Sequence, residues 1–187
     1  MIFRFSPLRC SHQRGIAAVE FALVSAVFFG FGFGAIELAR ALYLWNTLTQ
    51  VVSRAARGAL TNPGDVAAMN LVRQQAMSVN DPGTLILGGD IDDRYLRIDY
   101  LAPDQTTTVA PPPCPVQNVM NCTNDPDGAC IRFVRVSLCM PGSAPCTQVP
   151  YQTLTGLDML AGFNLGVSPF TTIVPAQTLG MPAACTP

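Results

Sequence analysis

The sequence predicts an α+β protein in which a long N-terminal helix packs on a small antiparallel sheet braced by disulfides. Three observations carry that reading. Phe21 to Ile36 contains no charged residue, and helical spacing of apolar residues continues beyond it to Leu60. Two later segments alternate in the manner of half-buried strands, and a third is a candidate strand. Six of the seven cysteines lie in the C-terminal half.

Residues 1–15 are short, basic and turn-prone, and read as a cytoplasmic leader rather than a structured element. Three of the eleven basic residues, Arg4, Arg9 and Arg14, fall here. There is no lysine anywhere, and the one histidine, His12, is also in this segment. Basic residues before an apolar span predict a cytoplasmic N-terminus with everything downstream exported.

The apolar span Ile16 to Ile36 is close to the roughly 20 residues needed to cross a bilayer. Glu20 stands near its start. A carboxylate inside such a span costs about 2.5–3.5 kcal/mol on insertion scales, so it demands a partner or a function. The alternative is interfacial: a glutamate one turn into a helix reaches the headgroups and suits the positive end of the helix dipole. Gly30 and Gly34 form a G-x-x-x-G pair that permits close helix approach. Glu37 and Arg40, spaced i,i+3 where the helix leaves the membrane, read as a surface pair or as a contact to another subunit.

Beyond the span, Leu48, Val51, Val52, Ala55 and Ala59 make one apolar stripe, with Arg54 and Arg57 on a solvated face. Thr61-Asn62-Pro63-Gly64 ends the helix. Asp65 is placed to cap a second helix from Val66 to about Val79, with Met69, Val72, Ala76 and Val79 inward. Strands are expected over 94–101 (Leu96, Ile98 and Tyr100 inward), 131–139 (Val134, Val136 and Leu138 inward) and Phe170 to Leu179. Pro175 puts the last of these at an edge. The stretch between the first two reads as a long loop, containing Pro111-Pro112-Pro113, whose order comes from disulfides. The expected organisation is a leader over 1–15, a transmembrane helix over 16–44, a periplasmic helical region over 45–80 and a periplasmic cysteine-rich β domain over 81–187.

Cys114, Cys122, Cys130, Cys139, Cys146 and Cys185 lie beyond the span, where an oxidising compartment favours up to three disulfides. Six cysteines allow 15 connectivities, and the sequence does not choose among them. Zinc is disfavoured because there is no C-x-x-C and the lone histidine sits in the leader. Asp90, Asp92 and Asp93 offer oxygen ligands but lack the pattern of an EF-hand loop, and read as loop residues. No cofactor is implied. Without histidine or lysine beyond the leader, and without a P-loop or G-x-S-x-G, the chain is not expected to be an enzyme. With no basic run and twelve acids against eight arginines after Gly15, nucleic acid is not an expected partner.

Gly15, Ile16, Glu20 and Phe21 together resemble the type IV prepilin processing site, in the Gly-x-x-x-x-Glu-Phe form of tight-adherence (Flp) pilins and pseudopilins. The resemblance implies cleavage between Gly15 and Ile16 by a prepilin peptidase, and pairing of Glu20 with the free amine of a neighbouring subunit. Downstream stand Ile36-Glu37-Leu38-Ala39-Arg40, Tyr43, Asn46 and Ala55-Ala56-Arg57-Gly58-Ala59. Over about residues 14–60 the chain resembles the TadE-like family, departing from its usual pattern at Leu38-Ala39 and Leu60. That implies a pilin-like, single-pass inner-membrane minor pseudopilin taking part in initiation or assembly of a tight-adherence pilus. Its partners would be other pilins, the assembly machinery, the peptidase and membrane lipid. A competing reading takes Ala39-Arg40-Ala41 as a signal-peptidase site, which would release a disulfide-rich binding or adhesion module unrelated to pili.

Overall fold

The computed structural model describes residues 14–62, 66–78, 83–112, 114–126, 129–154, 170–176 and 179. These divide into two compact units, Met1–Ala41 and Leu42–Pro187. Helix α1 is Arg14–Thr61, unbroken over 48 residues. At its end the Gly58 carbonyl accepts the last helical bond, from the Asn62 backbone N–H at 3.2 Å, and also accepts from the Asn62 amide at 2.8 Å and the Thr61 hydroxyl at 3.0 Å.

In the C-terminal unit the expected stripe of α1 is the core. Leu48, Val51, Val52, Ala55 and Ala59 are buried, joined by Leu44 and Ala56. Helix α2, Val66–Met77, contributes Met69, Ala76 and Met77 to the same cluster. It ends at Ser78, whose left-handed φ of 56° lets its N–H reach the Gln75 carbonyl. Val79, expected on the inner face, lies outside the described residues.

The sheet is three-stranded and antiparallel in the order β1 (Leu96–Leu101), β2 (Phe133–Leu138), β3 (Thr171–Pro175). Its register pairs Leu96 with Leu138, Ile98 with Val136 and Tyr100 with Val134, so the two predicted inward sets meet on one face. That face packs on the outer half of α1, where the buried Tyr100 hydroxyl donates to the Ala59 carbonyl at 3.4 Å. β3 is an edge strand, as Pro175 requires. The bond from Ala176 N–H to the Arg132 carbonyl fixes the alternation, so the missing donor of Pro175 points away from β2.

Two expectations are corrected. The first strand begins at Leu96 rather than at residue 94, because Asp92 caps a 3₁₀ turn, Asp93–Tyr95. The Asp92 carboxylate accepts from both the backbone N–H and the guanidinium of Arg94, which spends the start of the segment on a turn. The second correction concerns the long loop before β2. It contains a helix, α3, Pro115–Asn124, with Pro115 in the first turn. Its apolar residues Val116, Val119 and Met120 are exposed while Asn118 is 3% exposed. The pattern that betrays most surface helices, apolar side inward, is reversed here.

Candidate functional site

The N-terminal unit carries the candidate site, built on the first half of α1. No proline or buried neighbour interrupts it, and Ile16, Phe21, Leu23, Val24, Val27, Phe28 and Phe31 are all more than half exposed. Phe21 and Phe31 reach 75% and 78%. Among the described residues α1 is the one helix long and apolar enough to cross a membrane. Glu20 is exposed within this run, one helical turn from Ile16 and next to Phe21. Gly15 and Ile16 are helical and exposed.

Gly30 and Gly34 line a shallow apolar groove with Val27, Phe31, Ala35 and Leu38. These positions recur at three- and four-residue steps, so the groove is a stripe along one helix face. A Cβ on Gly30, Gly32 or Gly34 would meet nothing within 4 Å. Each glycine sacrifices roughly 1 kcal/mol of helix propensity relative to alanine, and no packing among the described residues requires it.

Glu37 and Arg40 form an ion pair with N–O 3.3 Å. Their side chains are 13% and 5% exposed, so this pair is shielded rather than on the surface. An exposed i,i+3 pair contributes a few tenths of a kcal/mol, whereas removing one partner of a shielded pair leaves a desolvated charge. Sequence spacing located the pair, and nothing in the spacing signals its burial.

Elsewhere the described residues hold two disulfides in full, Cys122–Cys130 and Cys139–Cys146, joining cysteines adjacent in the chain order. Cys114 is also disulfide-bonded. Cys185 lies outside the described residues, as do residues 1–13 of the leader. Asp90 accepts from the Gln152 amide at 3.2 Å, and Asp92 is engaged by Arg94. Among the described residues no group of three or more His, Cys, Asp or Glu side chains is placed to hold a metal. A cavity of about 680 Å³ lies beside the Cys122–Cys130 bridge, lined by Pro103, Val119, Arg132, Phe133 and Pro175 among others. Among the described residues Arg132 is the one charged group that lines it, and no nucleophile–base pair among them faces it.

An apolar helix displaying one acid, a glycine groove and a shielded boundary pair is suited to contacts along its length. Residues 15–57 match the family model described as TadE-like protein. The match covers less than half of the chain and ends within the stripe that packs on the sheet. Comparison with curated proteins and with solved structures returned no match.

Proposed function

We propose that the chain is a minor pseudopilin of a tight-adherence pilus, cleaved between Gly15 and Ile16 by a prepilin peptidase. It is held in the inner membrane by residues 16–44, with the cytoplasmic leader before them and the disulfide-braced domain in the periplasm. Its work is assembly, not catalysis. The single observation that carries this reading is the exposed half of α1 that matches the TadE-like model, an apolar run that displays Glu20 and a glycine groove that no neighbour among the described residues fills.

The physical sequence is short. Cleavage exposes the amine of Ile16. Glu20 of one subunit then pairs with the amine of the next, which supplies the cation that a carboxylate in lipid requires. Gly30 and Gly34 let a neighbouring helix approach along the groove, in the small-residue packing used between membrane helices. The competing signal-peptide reading needs a cut at Ala39-Arg40-Ala41. Those residues lie inside the unbroken helix α1, so the cut would fall in helical rather than extended backbone.

The test is the mature N-terminus, measured by mass spectrometry from cells that carry the peptidase. The expected chain begins at Ile16, and an intact Met1 overturns the proposal. Glu20→Ala is expected to weaken co-purification with the major pilin while leaving the protein in the membrane pellet after carbonate extraction. Release by carbonate would favour the soluble binding module.

A further inference from the structure

The hairpin-like turn after α2 is a second apolar surface, made by residues outside the matched segment. Thr84 and Asp92 bridge its base, and the Leu85 N–H donates to the Ile91 carbonyl at 2.8 Å. The Gly88 N–H closes the tip onto the Leu85 carbonyl at 2.8 Å. Turn tips ordinarily carry Gly, Asn, Asp or Ser. Here the tip presents Ile86 at 73% and Leu87 at 51% exposure, and Leu87 holds a left-handed φ of 60°.

The position of this tip follows from the order of contacts along α1. Val72 of α2 is the side chain that a Cβ on Gly58 would meet. Further along α2, the Ser78 hydroxyl accepts from Arg54 at 3.3 Å. The chain therefore runs back along α1 toward its start, and beyond Ser78 it reaches the groove that Leu85 and Ile86 share with Tyr43. Tyr43 is 27 residues after Ile16, about 40 Å of helix, which matches the 40–45 Å thickness of a bilayer with its headgroups. Around it Leu42, Tyr43 and Trp45 are 57%, 42% and 53% exposed, an aromatic collar of the sort found where helices leave lipid.

We infer that Ile86 and Leu87 form a lipid-contacting foot that rests, with Tyr43 and Trp45, in the headgroup region of the membrane crossed by α1. This rests on the membrane-anchored reading of α1. Residues 84–89 carry no charge and the nearest acid is Asp90, so the attraction is apolar and does not depend on anionic lipid.

Trp45 is the sole tryptophan, which makes the test direct. Full-length protein carrying Trp45→Phe and Ile86→Trp is reconstituted into phosphatidylcholine vesicles whose acyl chains are brominated near the headgroup end. Emission is expected to fall roughly twofold, as for a side chain about 5–10 Å into the boundary, and equally when phosphatidylglycerol is added. The same lipids should leave a tryptophan at Val116, an exposed position on α3, unquenched. Leu87→Trp supplies a second probe if Ile86→Trp disturbs the circular dichroism spectrum. A protein that floats with the vesicles yet shows no quenching at either site overturns the foot while sparing the anchor. A blue-shifted, unquenched emission that depends on protein concentration also overturns it, assigning the surface to a protein partner. A protein that does not float overturns both readings.

Discussion

Asn118 stands in for a strand at Ile131. Its side-chain oxygen accepts from the Ile131 N–H at 2.8 Å, and its amide donates to the Ile131 carbonyl at 3.1 Å. Both residues are buried, so one side chain satisfies two backbone groups just before β2 begins. Asn118→Ala is expected to lower stability by about 2–4 kcal/mol, because each stranded group carries a desolvation penalty of order 1–3 kcal/mol. Asn118→Asp should cost at least as much at neutral pH, because it sets a carboxylate oxygen against the Ile131 carbonyl in a buried site. Urea unfolding of the detergent-solubilised chain would show this, and an unchanged midpoint for Asn118→Ala would remove Asn118 from that role.

The glycines of α1 should respond oppositely to the same substitution. A Cβ on Gly58 would stand 2.9 Å from the Val72 Cγ1, whereas one on Gly30 or Gly34 would meet nothing. Gly58→Ala is therefore expected to destabilise by about 1–3 kcal/mol through overpacking, despite the better propensity of alanine. Val72→Ala in the same chain should recover part of that loss. Gly30→Ala and Gly34→Ala should leave the isolated protein's thermal midpoint unchanged or higher, and weaken only helix association, read by cross-linking yield in membranes.

Tyr100 gives the domain a high-pH limit. Burial disfavours the phenolate and pushes its pKa from 10.0 up to about 12, partly opposed by the nearby Arg73. The folded state thus holds this proton more tightly than the unfolded state does. The associated stabilisation is fully present below pH 10 and is lost as pH rises from 10 toward 12, by up to about 2–3 kcal/mol. Ultraviolet titration should show one of the four tyrosines ionising late. Tyr100→Phe should flatten the fall in stability above pH 10, and an unaltered slope would assign the effect elsewhere.

The two short bridges should be found by peptide mapping without reduction, as Cys122–Cys130 and Cys139–Cys146. They close loops of 8 and 7 residues, and loops of that size correspond to roughly 2–3 kcal/mol in the chain-entropy picture. Replacing both members of the Cys139–Cys146 pair with alanine avoids a free thiol. It should lower the urea midpoint by that order while the Cys139 N–H still donates to the Tyr95 carbonyl at 2.8 Å. A mapped Cys130–Cys139 bridge would contradict the fold.

Much of this molecule is set by local pattern. The apolar run from Ile16, the stripe through Leu48, Val52, Ala55 and Ala59, the inward sets of β1 and β2 and the edge position of Pro175 all follow from period and propensity, so the sequence alone determines them. The TadE-like stretch is legible for the same reason, being one continuous helix. Tertiary structure decided what depends on distant partners. Helix α3 escapes the usual signal because it buries Asn118 and exposes Val116, Val119 and Met120. Shielding of Arg40, the choice of two bridges among many connectivities, and the need for glycine at 58 but not at 30 or 34 are likewise contact properties. A residue's period is written in its neighbours along the chain. What covers it, pairs with it or collides with it is fixed only when segments far apart in sequence meet.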